Sequence, residues 1–250
     1  MLEFGTAACP LRPSKLKQFL MCPMSTVLDK LMAGDDEGGP GAQTGSVVHK
    51  GVEAFHRALG APLTRREEAE AAARSALSTF PLARPEDAFR WLNAYTNDPA
   101  NIEARVTHLE HSVTLTIDPD IVIKGTLDQI RKDDQGRLTV WDLKTGTKLS
   151  ADDAVDEYQI QQMAYVLAAR QTLGLNVLPG GIIWCAGYDK PRGRRFLPMG
   201  IDVQDCLDTM EVVKNRVLEI RAGLKLFVPS NSNCFWCPHK RYPRCKRACE

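Results

Sequence analysis

The segment 139-TVWDLKTG-146 constrains the fold more tightly than any other part of this 250-residue chain. Leu138 and Val140 alternate with polar positions, as in a strand with one buried face. On such a strand Asp142 and Lys144, two positions apart, point to one side and Leu143 to the other, and Gly146 stops the strand just beyond them. A second candidate strand spans residues 122–131 and carries 125-GTLD-128, and the turn at residues 133–136 predicts a hairpin between the two. That hairpin can bring Asp128 beside Asp142. Two carboxylates with a lysine can hold Mg²⁺ or Mn²⁺ and orient a water against a phosphodiester. Spacing alone fits a solvated strand edge equally well.

The remaining pattern places this hairpin inside a larger α/β unit. Helical spacing is expected at residues 14–21, where Ser14 can act as cap and Pro23 closes or bends the helix. Further helices are expected at 27–32, 43–59, 65–80, 86–95, 156–173 and 203–222. Residues 34–42, GDDEGGPGA, read as a loop. Additional strands are expected at 104–116, 181–186 and 195–201. The order is helices, strands, helix, strands, helix and a cysteine-rich tail. It predicts an arm and helical region over 1–100, an α/β core over 101–225, and a cysteine-rich segment over 226–250 that packs with the N-terminal region.

Charge and cysteine usage narrow the function. The formal net charge is +1, so a nucleic-acid surface has to be a local patch rather than a global field. Arg105, Lys124 and Arg131 are candidates for phosphate contacts, with solvation an equal account of each. No stretch reaches the roughly 18 apolar residues of a membrane span, and the first residues lack a signal-peptide pattern, so a cytoplasmic, reducing setting without membrane partners is expected. In that setting the eight cysteines read as metal ligands or packed thiols rather than disulfides. Cys234, Cys237, Cys245 and Cys249 could bind zinc or an iron–sulfur cluster. Cys185, in an apolar strand, and Cys206, near the start of a helix, read as packed free thiols. Phe235, Trp236 and Tyr242, among basic residues, could stack on single-stranded bases or cover a cluster.

GTLDQI followed by VWDLKTG resembles the RecB-like exonuclease branch of the PD-(D/E)XK nuclease superfamily. The segment 44-TGSVVH-49 is similar to its upstream Gly-x-x-x-His motif, and 158-YQIQQMAYVLA-168 to its Gln-x-x-x-Tyr motif. The segment 14-SKLKQFLMCP-23 is similar to the helix–Cys–Pro signature of an iron–sulfur subclass. That subclass includes CRISPR-adaptation nucleases, phage exonucleases and the AddB nuclease domain. The resemblance implies a restriction-endonuclease-like core with an additional helical region. It implies metal ligation by His49, Asp128, Asp142 and the Leu143 carbonyl, and a catalytic role for Lys144. Gln161 and Tyr165 would contact DNA or position the acids, and Glu110, on a strand beside His111, is a supporting acid. A [4Fe–4S] staple through Cys22, Cys234, Cys237 and Cys245 is implied as well, with Cys249 an alternative to Cys245.

The function that follows is metal-dependent exonucleolytic hydrolysis of single-stranded DNA. Trimming of DNA ends in CRISPR adaptation or recombination, ahead of an integrase, is a second reading. A non-catalytic DNA-binding assembly subunit is a third. The chain contains no G-x-x-x-x-G-K-[ST] phosphate loop, so unwinding would need a helicase partner.

Overall fold

The computed structural model describes residues 4–31, 40–62, 64–79, 85–145, 151–185 and 195–223. A 3₁₀ turn, Pro13–Lys15, leads into α1 (Leu16–Met21) and α2 (Pro23–Leu31). Helices α3 (Pro40–Leu59), α4 (Arg66–Ser78), α5 (Pro85–Thr96) and the single turn α6 (Pro99–Ile102) follow. Then come β1 (Arg105–Asp118), β2 (Ile121–Lys132), β3 (Leu138–Lys144), α7 (Ala151–Leu173), β4 (Val177–Trp184), β5 (Phe196–Pro198) and α8 (Val203–Arg221).

The five strands form one sheet in the order β1-β2-β3-β4-β5. The first three make an antiparallel meander, and β4 returns parallel to β3. A parallel return needs a crossover, and α7 supplies it across one sheet face. Its buried alanines, Ala164, Ala168 and Ala169, have little side chain to hold the helix off the strands. On that face α1, α2, α7 and α8 enclose the main core with Ile121, Ile123, Leu127, Ile130 and Val140. On the other, α3, α4 and α5 pack Val48, Val52, Phe55, Leu77 and Tyr95 against Leu143, Ile183 and Cys185.

Strands β2 and β3 pair only from Gln129↔Trp141 to Lys132↔Leu138, then separate. The N-terminal arm occupies the gap. Leu11 bridges Ile123 in parallel, accepting from Lys124 N–H and donating to the Val122 carbonyl at 2.9 Å each. Residues before α1 are thereby fixed to the sheet next to the split.

Several local expectations change in detail. Ser14 lies within the 3₁₀ turn rather than capping α1, whose N-cap is Lys15 without a side-chain bond. Pro23 does not simply end a helix: Cys22 is extended at the C-cap of α1, and Pro23 starts α2. Strand β4 begins at Val177, four residues before the expected start, and runs through Gly180. A Cβ at Gly180 would lie 2.4 Å from the Val140 carbonyl oxygen, so the close approach of β3 and β4 requires glycine there. Arg131 is not a surface phosphate contact. It is buried, donating to Tyr95 Oη, Asn101 Oδ1 and Gln129 Oε1.

The iron–sulfur staple expected as part of the fold is corrected. Cys22 is half-buried and packs against the apolar main core. Among the described residues no cysteine joins a group able to hold a metal. Cys234, Cys237, Cys245 and Cys249 lie outside the described residues, as do Phe235, Trp236 and Tyr242. The extra helices beside an α/β core are present, and among the described residues no staple joins them.

Candidate metal centre and acid–lysine pair

The site lies where β2 and β3 separate. One pair beyond Gln129↔Trp141, the register sets Asp128 opposite Asp142. On the other side of β2, Glu110 falls opposite Asp128, between the pairs Leu109↔Gln129 and His111↔Leu127. Three acids therefore sit in one row across three strands. The backbone ladder has stopped there, so the N–H of Leu143 donates instead to Asp128 Oδ2, at 2.6 Å. The pleat also breaks: Leu127 and Ile130 both enter the main core, while Asp128 and Gln129 between them reach toward α3 and α5. Beside this break Glu110 has φ = 44°, a left-handed conformation that costs a non-glycine residue about 1–2 kcal/mol.

Helix α3 brings His49 over this row. Its Nδ1 is 3.3 Å from Asp128 Oδ1 and 3.5 Å from Glu110 Oε1. One turn earlier, a Cβ on Gly45 would lie 2.9 Å from Thr145 Oγ1. Glycine at this point is what lets α3 come close enough to the end of β3 for His49 to reach the acids. Burial opposes a charged imidazole, yet Asp128 together with Glu110 outweighs it and pushes the His49 pKa up to about 10. The Asp128 carboxyl is held below its ordinary value; burial opposes this, and His49, Lys144 and the Leu143 N–H prevail.

Asp142 and Lys144 face α7. Lys144 Nζ is 2.7 Å from Asp142 Oδ2, an ion pair that gives this oxygen its sole partner among the described residues. Gln161 Nε2 donates to Asp142 Oδ1 at 3.0 Å. Tyr165 hydrogen-bonds Gln161, and burial pushes its phenol pKa above the ordinary range. Burial, with the Asp128 charge, pushes the Asp142 pKa up to about 6 against the pull of Lys144. The Lys144 ammonium stands 4.6 Å from the Tyr158 ring centre, a cation–π contact.

His49, Glu110 and Asp128 offer one nitrogen and two oxygens within 4.8 Å of one another. Adjacent ligands about 2.1 Å from an octahedral ion lie about 3 Å apart, and the two spacings from His49, 3.3 and 3.5 Å, are near that value. Carboxylate oxygens with one imidazole suit Mg²⁺ or Mn²⁺. This set corrects the cofactor expectation: among the described residues the group able to hold a metal is His49, Glu110 and Asp128, with no cysteine in it. Glu110, expected only to support, is a member of the group, and Asp142 beside it forms an ion pair with Lys144. The Leu143 N–H meets Asp128 while its side chain packs in the second core.

A family model described as the PD-(D/E)XK nuclease superfamily matches residues 10–245. The chain belongs to the PD-(D/E)XK nuclease superfamily. The narrower expectation of a RecB-like, iron–sulfur, CRISPR-adaptation subclass is corrected to the superfamily alone, because the site carries no cysteine signature among the described residues. No curated protein matches the chain. The solved structure titled "Crystal structure of SSO0001" aligns over 92% of this chain and 96% of its own, at 14% identity and a TM-score of 0.35, too low to carry an argument. A PD-(D/E)XK chain with this site has the makings of a metal-dependent nuclease. None of its described helices is long and apolar enough to cross a membrane.

Proposed function

We propose that this chain is a metal-dependent deoxyribonuclease that hydrolyses phosphodiester bonds in single-stranded DNA from an end. The observation that carries the reading is the His49–Glu110–Asp128 group beside the buried Asp142–Lys144 pair. When bound, Mg²⁺ or Mn²⁺ would polarise the phosphate and acidify a water. His49 Nδ1, after losing its proton, Glu110 Oε1 and Asp128 Oδ1 would hold the cation, with Asp142 and the Leu143 carbonyl as the further ligands. Lys144 orients the attacking water and meets the negative charge that develops on the phosphate. Gln161 holds Asp142 in place through Oδ1, and Tyr165 holds Gln161. Burial of these groups strengthens each charge interaction relative to open water.

Incubation of end-labelled single-stranded DNA with Mn²⁺ or Mg²⁺, with Asp142→Ala as control, tests the reading. Metal-dependent products that shrink from one end and fall at least about 100-fold in the variant are expected. A parallel RNA substrate reads sugar selectivity. Intact DNA in the presence of bound cation would overturn the proposal and favour a DNA-binding subunit.

A further inference from the structure

Beside the acid–lysine pair, a groove of about 250 Å³ opens between the turn Pro13–Lys15 with α1 and the first turns of α7. Its walls carry Lys15, Lys17, Glu157, Tyr158 and Gln161. Two of these residues also touch the catalytic pair: Gln161 donates to Asp142, and Tyr158 carries Lys144 over its ring. The groove thus adjoins the proposed reaction centre, with Gln161 and Tyr158 touching both.

Its size and lining restrict what it can receive. Pockets for whole small molecules measure about 300–1,000 Å³, so 250 Å³ fits a unit of a longer ligand better than a free substrate. Two ammonium groups and one aromatic ring are the elements that bind a single strand, cations to phosphates and a ring to a base. Each ammonium has two acceptors at the exposed surface, Lys15 reaching Gln18 Oε1 at 3.1 Å and Lys17 the Asp156 carbonyl at 3.2 Å besides their carboxylates. Lys15 pairs with Asp29 at 3.1 Å and Lys17 with Glu157 at 2.7 Å, and all four side chains are at least a quarter exposed. Pairs this exposed exchange partners readily.

Resting on the nuclease reading above, we propose that this groove seats one nucleotide of the substrate strand next to the bond being cut. Lys15 and Lys17 meet its phosphates, and Tyr158 packs on its base. The bonds of Leu11 to β2, which fix the N-terminal arm beside the split, hold that wall against the sheet.

The test uses the full chain, a fluorescein-labelled oligothymidylate and the pair Lys15→Ala/Lys17→Ala. A double substitution on α8, Lys214→Ala/Arg216→Ala, makes the same change in net charge away from the groove. Binding is followed by anisotropy in EDTA across a salt series, and cleavage with Mn²⁺ is followed separately. The groove variant is expected to lose about 0.7 in salt slope for each phosphate contact removed, with KM raised about tenfold and kcat less affected. Tyr158→Phe is expected to keep KM, whereas Tyr158→Ala raises it. Unchanged slope and KM in a groove variant whose parent cleaves DNA would overturn the groove and leave the nuclease reading standing. A parent that binds the strand through these lysines without cutting it would overturn the nuclease reading and keep the groove. A parent that neither binds nor cuts overturns both.

Discussion

Asp128 Oδ2 accepts the backbone N–H of Leu143 at 2.6 Å, where a strand carbonyl would ordinarily stand. The carboxylate therefore does two jobs: Oδ2 closes the split between β2 and β3, and Oδ1 faces His49. Two substitutions separate them. Asp128→Asn keeps an acceptor for Leu143 but removes the charge. Asp128→Ala removes both and leaves a partly buried N–H without a partner, a loss of about 1–3 kcal/mol. Both variants are expected to lose Mn²⁺ binding by titration calorimetry, while only the alanine variant shows the full drop in urea-unfolding stability. Equal stabilities would show that the Leu143 bond contributes nothing.

Gly45 controls the approach of α3 to β3. An alanine in an exposed helix interior stabilises by up to about 1 kcal/mol over glycine, but here its Cβ would lie 2.9 Å from Thr145 Oγ1. The expected outcome of Gly45→Ala is a displaced His49 and weaker Mn²⁺ binding with a folded protein retained. Adding Thr145→Ala should restore much of the affinity. A Gly45→Ala protein that binds Mn²⁺ as tightly as the parent would show that His49 is not positioned by this contact.

Much of this centre is legible in the sequence because its parts obey local periods. Alternation in 139-TVWDLK-144 puts Asp142 and Lys144 on one face, and the four-residue interval in α7 puts Tyr165 within reach of Gln161. Glu110 is harder to read, because its place in the row depends on a left-handed residue inside a strand pattern of no special composition. Tyr158 escapes for a different reason: its contact with Lys144 joins two elements across a crossover and leaves no spacing to detect. The early start of β4 is masked by Pro179, Gly180 and Gly181, which read as breakers although the strand pairing demands a glycine. The staple is implied by the resemblance of 14-SKLKQFLMCP-23 and the tail cysteines to an iron–sulfur subclass, and a motif of this kind cannot show whether a thiol meets iron or, like Cys22, packs against a core.

Tyr95 ties the helical layer to β2 just past Asp128. Its hydroxyl accepts from Gln129 Nε2 at 2.9 Å and from Arg131 Nη2 at 3.0 Å. Both lone pairs are then used, so its proton goes to His56 Nε2 at 2.7 Å. Tyr95→Phe leaves a guanidinium, an amide and an imidazole each short of a bond in a buried site. A destabilisation of at least about 2 kcal/mol in urea unfolding is expected. A loss below about 0.5 kcal/mol, the range of ordinary surface changes, would mean that the network is not holding α5 to the sheet.

The same network predicts how the fold responds to acid. Burial, together with the nearby Arg131 charge, lowers the His56 pKa to about 3, and the Tyr95 hydroxyl holds its ring as the neutral acceptor. In the unfolded chain a histidine titrates near 6.5. Above that value both states are neutral at this position and His56 adds no pH dependence. Below it the unfolded chain takes up a proton that the folded chain refuses, so stability falls as pH falls, by about 1.4 kcal/mol per pH unit, until the folded-state pKa is reached. His56→Gln retains an acceptor for Tyr95 and cannot titrate. Urea unfolding of parent and variant at pH 7.5, 5.5 and 4.5 should show the parent losing stability faster between the last two values, with a difference in slope of about 1 kcal/mol per unit. Parallel curves would place the protonation of His56 in the folded protein at its ordinary pKa and remove it from the acid response.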